Sequence, residues 1–266
     1  MKLTRFFVIA ATMMIAIVTV SAHDFEVDGI YYDITSSTDF TVEVTYRGGS
    51  HDSYLNDYVG VVRIPQSVKY SGNTYRVISI GTRAFKDCSD VTSIIIPKSV
   101  ISIDNYAFSG CVSLKKITIE DGNEILEIGY NEYVSDGIGS GMFYECPLEE
   151  LYLGRNLEYN KNSSYGYSPF IYMNRLKSVT IGNSVTSIDE YLFSYCVNMV
   201  SVLIPNSVLS IGMYAFYDCK KLTSISLPDG VNHIDEGVFS GCSSLLSIDI
   251  PYSVTVISDY AFYGCN

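Results

Sequence analysis

The stretch CSSLLSIDIPYSVTVISDYAF, residues 242–262, contains every element of a unit that recurs along the chain. Its last phenylalanine has counterparts at steps of 23 residues, interrupted by one step of 35 and one of 27. Self-similarity at one short period indicates stacked copies of a small unit, because no single copy can bury its own apolar face. The phenylalanine column consists of Phe85, Phe108, Phe143, Phe170, Phe193, Phe216, Phe239 and Phe262.

The unit has the pattern of a strand followed by turns. Ile248 and Ile250 alternate with polar residues, which is typical of a half-buried strand, and Pro251 ends the strand because it has no N–H to donate. Asp259 is placed to cap a short helical turn. Strands stacked about 4.8 Å apart form one parallel sheet. The sequence therefore predicts a repeat solenoid with one parallel β-sheet and short helical turns.

The repeat resembles that of a known family. The pattern LxxIxIPxSVxxIxxxAFxxC, with strand segments such as SIIIP (93–97), SVLIP (201–205) and SISLP (224–228), is similar to the 23-residue repeat of BspA-like bacterial leucine-rich repeat proteins over about residues 77–266. The resemblance implies a leucine-rich repeat solenoid. It also implies a non-enzymatic surface or secreted protein that binds a host or microbial protein or glycan, with no cofactor.

The N-terminal region differs from the repeats. Residues 1–22 have the basic start, apolar run and small-residue cleavage site of a secretory signal peptide, which predicts a secreted or cell-surface protein without a membrane span after cleavage. A retained membrane anchor is the alternative. Residues 23–76 predict a β-rich cap with a degenerate first repeat and a hairpin turn at Asp28–Gly29, and the solenoid follows over 77–266.

The chain is acidic. Its formal charge is −12, and removal of Lys2 and Arg5 with the signal peptide makes it −14. Such a surface repels phosphate backbones, so we expect no nucleic-acid partner. The same charge also keeps an elongated protein soluble.

Two enlarged coils, 111–145 and 146–172, provide the first candidate binding surface. Their extra residues fall mostly in GYNEYVSDGIGS (129–140) and EYNKNSSYGYSP (158–169). Neighbouring coils place such loops side by side, and Tyr, Ser, Gly and Asn form adaptable binding surfaces. Neutral drift in loop length is the alternative. The candidate ligand-binding residues are Tyr130, Tyr133, Tyr152, Tyr159, Tyr165 and Tyr167.

The outward face of the sheet is the second candidate surface, with Tyr152 near its centre. Alternation within each strand predicts that the following residues point outward: Arg63, Ser93, Ile95, Lys116, Thr118, Glu150, Tyr152, Ser178, Thr180, Ser201, Leu203, Ser224, Ser226, Ser247 and Asp249.

The cysteines form a second column, three residues after each phenylalanine, in which Met173 takes one place. A straight column cannot supply tetrahedral zinc ligands, so we expect no metal site there. Disulfides are possible on spacing alone, but Met173 in the same column favours buried thiols. The seven cysteines are Cys88, Cys111, Cys146, Cys196, Cys219, Cys242 and Cys265.

No set of residues in the sequence predicts catalysis. The sequence contains three histidines, and none of them forms a recognisable nucleophile–base set with another residue. We therefore expect an adhesin or recognition module, with a structural spacer lacking a dedicated ligand as the alternative. A glycan-processing enzyme would need a pair of carboxylates in a cleft. The last repeat carries no capping sequence, which predicts a truncated product or an end covered by another chain.

Overall fold

The computed structural model describes residues 23–50, 56–129, 142–143, 145–159 and 168–265. Within these ranges the chain forms eighteen short strands and no helix, and therefore no helix able to cross a membrane. The strands are β1 (Phe25–Val27), β2 (Ile30–Ser36), β3 (Thr41–Thr45), β4 (Gly60–Arg63), β5 (Ser67–Tyr70), β6 (Asn73–Ile80), β7 (Val91–Ile96), β8 (Ser102–Ile103), β9 (Lys116–Ile119), β10 (Leu126–Ile128), β11 (Glu150–Leu153), β12 (Leu157–Tyr159), β13 (Ser178–Ile181), β14 (Ser187–Ile188), β15 (Ser201–Leu203), β16 (Ser210–Ile211), β17 (His233–Ile234) and β18 (Val256–Ile257).

The first sheet is the one that the alternating pattern predicted. It contains six parallel strands in the order β15-β13-β11-β9-β7-β4, which pair in register from coil to coil except for one shift between Gly60 and Val61 in β4. Ile94 pairs with Ile117, and Val179 pairs with Val202, on the buried side. The predicted repeat solenoid is therefore confirmed.

A second sheet was not predicted. It runs in the order β1-β2-β3-β6-β8-β10-β12, with β5 beside β6, and two further strand pairs, β14–β16 and β17–β18, continue the same segment of the repeat. The prediction of a single parallel sheet was therefore wrong. In coils of regular length these strands have only two residues, such as Ser102–Ile103, which is too short for alternation to reveal them.

The predicted helical turns are also corrected by the structure. The corner before each cysteine is a pair of hydrogen-bonded turns; for example, the Cys111 N–H donates to the Phe108 carbonyl at 3.2 Å. Positive φ angles of 61° at Tyr106 and 78° at Gly110 stop a helix on both sides of Phe108. The corner backbone instead bonds to the next coil, as the Phe85 N–H does to the Ala107 carbonyl at 2.8 Å.

The phenylalanine column forms one continuous ladder through the interior. Successive rings are stacked at centroid distances between 5.1 Å and 5.9 Å, from Phe85 to Phe262. All of these rings except Phe262 are fully buried. The ladder continues across both enlarged coils, so the extra residues leave and rejoin the coil without disturbing its core.

The cysteine column is a ladder of free thiols, six of them buried. Each thiol from Cys111 onward donates to the carbonyl of the phenylalanine in the preceding coil, at 3.1 to 3.6 Å. Burial raises the pKa of Cys196 to about 12. These thiols therefore stay protonated and unreactive at neutral pH, and they join neighbouring coils by weak hydrogen bonds.

The N-terminal region closes one end of the solenoid. β1 and β2 form the predicted hairpin at Asp28–Gly29, and a second hairpin joins β5 to β6 at Ser71–Gly72. β3 pairs antiparallel with β2 and parallel with β6. The cap thereby extends the second sheet and covers the first coil of the solenoid.

Arg155 connects two coils that are not adjacent in the repeat order. Its side chain is fully buried and donates to the carbonyls of Pro97 at 2.8 Å, Val100 at 2.7 Å and Lys98 at 3.1 Å. The guanidinium thereby gives three carbonyls of this turn a charged donor, in addition to the Val100 N–H that already donates to the Pro97 carbonyl at 3.2 Å.

The outer face of the second sheet carries a row of acidic and serine side chains. The strand register places Asp33 opposite Glu43, and Glu127 opposite Glu158. Like charges directly opposite each other destabilise a sheet. Burial, together with the charges of Asp104 and Asp33, raises the pKa of Glu43 to about 7.

The interior ladder leads to a prediction for Phe193, which stacks on Phe170 at 5.9 Å and on Phe216 at 5.7 Å. We expect Phe193→Ala to lower the free energy of unfolding in urea by about 3–5 kcal/mol, because it removes a fully buried ring. Leu203→Ala is the control, since Leu203 is 66% exposed and its loss costs about 0.5 kcal/mol or less. Equal effects of the two changes would contradict the stacked core.

The raised pKa of Glu43 predicts a pH dependence of stability. Between its ordinary value of 4.5 and about 7 the folded protein holds a proton that the unfolded chain releases, so stability falls as pH rises through this window. We expect Glu43→Gln to flatten this decline and to be more stable than the parent at pH 8. The pH dependence is measured as the urea midpoint of unfolding at pH 5 to 8, and Glu26→Gln on β1 is the exposed control. If the midpoint of Glu43→Gln falls with pH as steeply as that of the parent, the prediction is wrong.

Candidate binding surfaces

The outward face of the first sheet consists of two straight rows of side chains. The register of the strands fixes both rows, and their members are exposed or half-buried as the alternation predicted. One row contains Val61, Ser93, Lys116, Glu150, Ser178 and Ser201, and the other contains Arg63, Ile95, Thr118, Tyr152, Thr180 and Leu203.

Tyr152 is the largest side chain near the centre of this face. It lies between Thr118 and Thr180 on the neighbouring strands, and its hydroxyl donates to Asp121 Oδ2 at 2.6 Å. That hydrogen bond raises the pKa of Tyr152 to about 12. An added Cβ at Gly182 would collide with the Asp121 carboxylate, so glycine is needed there for this close approach. The ring is thereby held in one orientation before any ligand arrives.

Ion pairs surround Tyr152 on the same sheet. Lys116 Nζ lies 2.8 Å from Glu150 Oε2, and Lys177 Nζ lies 2.5 Å from Glu149 Oε2. The charges of this area are therefore largely compensated within the chain. Any ligand of this face would meet an aromatic ring and a hydrogen-bonded carboxylate within a nearly neutral patch.

The stems of the two enlarged coils lie directly beside each other. Ile128, which ends β10, pairs with Tyr159, which ends β12, and the long insertions follow these two residues. The chain returns at Phe143 and Phe170, whose rings stack at 5.3 Å. Both insertions therefore leave from one place and return to one place, as the sequence predicted.

Of the six candidate tyrosines, the structure places two. Tyr130, Tyr133, Tyr165 and Tyr167 lie outside the described residues. Tyr159 is only 5% exposed, and its hydroxyl donates to the Glu190 carbonyl at 3.0 Å, so it supports the loop stem from inside. Tyr152 stands on the first sheet, whereas the stems end the second sheet, so the structure does not bring it together with them.

Among the described residues, no group of three or more His, Cys, Asp or Glu side chains is placed to hold a metal ion. Sequence reasoning missed Asp121 and Gly182 as partners of Tyr152. Only the register of β9, β11 and β13 brings the three residues together.

Comparisons with known proteins agree with this architecture. The family model for the BspA type leucine rich repeat region matches residues 66–171 and 166–266, with 6 copies of the repeat. No curated protein matches the chain.

Several solved structures are similar to this chain. A leucine-rich repeat protein from Bacteroides ovatus is 24% identical, with 91% of this chain and 92% of that chain covered and a TM-score of 0.36. A leucine-rich repeat protein from T. pallidum is 24% identical, with 88% and 85% covered and a TM-score of 0.47. A leucine rich cell surface protein from Faecalibacterium prausnitzii is 23% identical, with 91% and 86% covered and a TM-score of 0.35. Since the family model spans well over half of the sequence, the chain belongs to the BspA-type leucine-rich repeat family.

Proposed function

We propose that this protein is a non-enzymatic extracellular recognition module, an adhesin that binds a protein or glycan of a host or of another microbe. The observation that carries the proposal is the pair of insertions that leave from Ile128 and Tyr159, two residues paired across neighbouring strands. The repeat itself does not need these two long tyrosine-containing segments, which are inserted beside each other in the sequence of coils.

The composition of the insertions supports binding. Residues 130–141 and 160–167 contain four tyrosines, with Gly, Ser and Asn making up most of the rest. Tyrosine offers a large contact area at low cost in conformational entropy, and small polar residues adapt their hydrogen bonds to a partner. The stems stay rigid because Phe143 and Phe170 hold both return points in the core. Variable loops on a rigid scaffold are a common arrangement for recognition.

An extracellular location is part of the same proposal. It rests on the signal-like segment 1–22 and on the family, in which the F. prausnitzii relative is described as a cell surface protein. The acidic composition suits an exposed, elongated protein that must stay soluble.

Replacement of both insertions tests the proposal. We expect Gly-Ser linkers in place of 130–141 and 160–167 to abolish capture on arrays of matrix proteins and glycans, because all four loop tyrosines are removed. The melting temperature stays close to that of the parent, because Tyr159 and the stacked rings of the stems are retained. Unchanged capture by this variant would refute the loop surface.

Two further variants sharpen the test. Tyr252→Ser removes a fully exposed tyrosine elsewhere and is the matched control, so we expect it to leave capture unchanged. Tyr152→Phe retains the ring on the sheet but loses the bond to Asp121. Loss of capture in Tyr152→Phe with normal capture in the loop variant would assign binding to the sheet face. A parent protein that captures nothing would favour a structural spacer.

A further inference from the structure

A second surface lies at the corner between the second sheet and the phenylalanine column, in the last four coils. Here Tyr191 and Tyr214 occupy the position two residues before the phenylalanine, and Glu190, Glu236 and Asp259 stand three residues before the phenylalanines of their own coils, a position that Met213 takes in the coil of Tyr214. We call it the tyrosine–carboxylate strip, and it consists of Glu190, Tyr191, Tyr214, Asp235, Glu236 and Asp259.

The strip borders a shallow depression in the protein surface. The depression has a volume of about 520 Å³, and four of its lining residues are the carboxylates Glu190, Asp235, Glu236 and Asp259. Backbone bonds between coils hold the row in register; the Tyr214 N–H, for example, donates to the Glu236 carbonyl at 3.0 Å. The spacing of the carboxylates is therefore fixed by the repeat.

The aromatic rings beside the depression are ordered. Tyr191 and Tyr214 stack at 5.2 Å with an interplanar angle of 8°. The Tyr214 hydroxyl donates to Glu236 Oε1, which ties the aromatic row to the acidic row. Gly237 leaves the space that the Tyr214 ring occupies, because an added Cβ would collide with it. The two rings and the carboxylates thus form one preorganised surface.

The charged residues of the last four coils are mostly acidic. Residues 178–265 contain eight Asp and Glu residues but only two basic ones, Lys220 and Lys221. Lys220 lies at a different corner, where its Nζ is 3.1 Å from Asp218 Oδ2. The strip contrasts with the first sheet, where Lys116 and Lys177 neutralise neighbouring glutamates.

The chain itself shows how a guanidinium fits this column. Arg83 occupies the same repeat position as Tyr191 and Tyr214, and its Cζ lies 5.3 Å from the ring centroid of Tyr106 in the next coil. A cation over an aromatic face within about 6 Å is attracted by the ring. The corner geometry therefore accommodates an arginine stacked on a tyrosine.

We propose that the tyrosine–carboxylate strip is a docking surface for an extended, arginine-rich segment of a partner protein. Arginine matches both halves of the strip, since its planar guanidinium stacks on aromatic rings and bonds carboxylates in a bidentate manner. Glu190 and Glu236 are two coils apart, and the coil steps there are 5.7 Å and 5.8 Å between phenylalanine rings. A polyproline II chain has three residues per turn and rises about 3.1 Å per residue, so arginine at every third position lies on one face at steps of about 9 Å, close to this spacing.

This surface adjoins the loop stem at Glu190, whose carbonyl accepts from the Tyr159 hydroxyl, but it does not include the loops. The loops leave after β10 and β12, whereas the strip belongs to the coils that follow β14. The loop-replacement variant is therefore expected to keep binding the arginine-rich segment, and the failure of one proposal leaves the other intact.

The test uses the mature chain and a fluorescent nonapeptide with arginine at every third position, separated by glycine and serine. Fluorescence anisotropy at about 0.15 M salt measures binding, because non-specific attraction is partly screened there. We expect Glu190→Gln/Glu236→Gln to weaken binding about tenfold or more, while the glutamine at 236 still accepts the Tyr214 hydrogen bond. We expect a lysine version of the peptide to bind more weakly, since lysine lacks the planar guanidinium.

The matched control is Asp229→Asn/Asp249→Asn, which removes the same charge from exposed positions outside the strip. Melting temperatures equal to the parent's establish that both double variants are folded. If both double variants weakened peptide binding equally, binding would depend only on net charge, and the proposal would be wrong. So would unchanged binding in Glu190→Gln/Glu236→Gln, no binding by the parent, or binding of a neutral oligosaccharide in place of the peptide.

Discussion

The structure depends on register between identical groups in successive coils. Phenylalanine rings stack 5.1 to 5.9 Å apart along the whole interior, and the backbone on both sides of them bonds to the next coil. A ring can stack on its neighbours only if the strands, the corner turns and the cysteine position are also aligned. One repeated contact therefore fixes the rise and the direction of every coil, and no coil can shift without breaking several ladders at once.

This constraint explains where the chain tolerates change. The step from Phe108 to Phe143 is 12 residues longer than the regular step of 23, yet the two rings stack at 5.1 Å. The insertion is accommodated because it begins after β10 and ends before the ring, where the coil meets solvent. Beside the insertions, Arg155 is a buried cation that donates to the carbonyls of Pro97 and Val100 two coils away. A loop can change in length only where the phenylalanine and strand ladders on either side of it are preserved.

The sequence predicted those parts of the fold that follow from the 23-residue repeat and from alternation within each strand. The phenylalanine column, the first sheet and the outward position of Tyr152 follow from spacing and alternation, because each inward position is occupied by the same kind of residue in every coil. The second sheet was missed because two residues such as Ser187 and Ile188 carry no alternation. The helical turns were wrongly predicted because the positive φ of Tyr106 or Tyr191 is set by the corner of the coil and not by residue type. The partners of Tyr152 and the burial of Tyr159 depend on contacts between coils, which no single repeat contains.

The same register decides how such a molecule can present chemistry to a partner. Because each outward position repeats at one coil step, neighbouring side chains of the same type accumulate into rows without any further change in the fold. Asp33 opposite Glu43, and Glu127 opposite Glu158, show that a row of like charges persists although it opposes pairing of the strands. The stack of Phe193 and its neighbours supplies the stability that offsets this repulsion. The stacked core is thus the reason why the surface can carry rows of like charge that are themselves unfavourable.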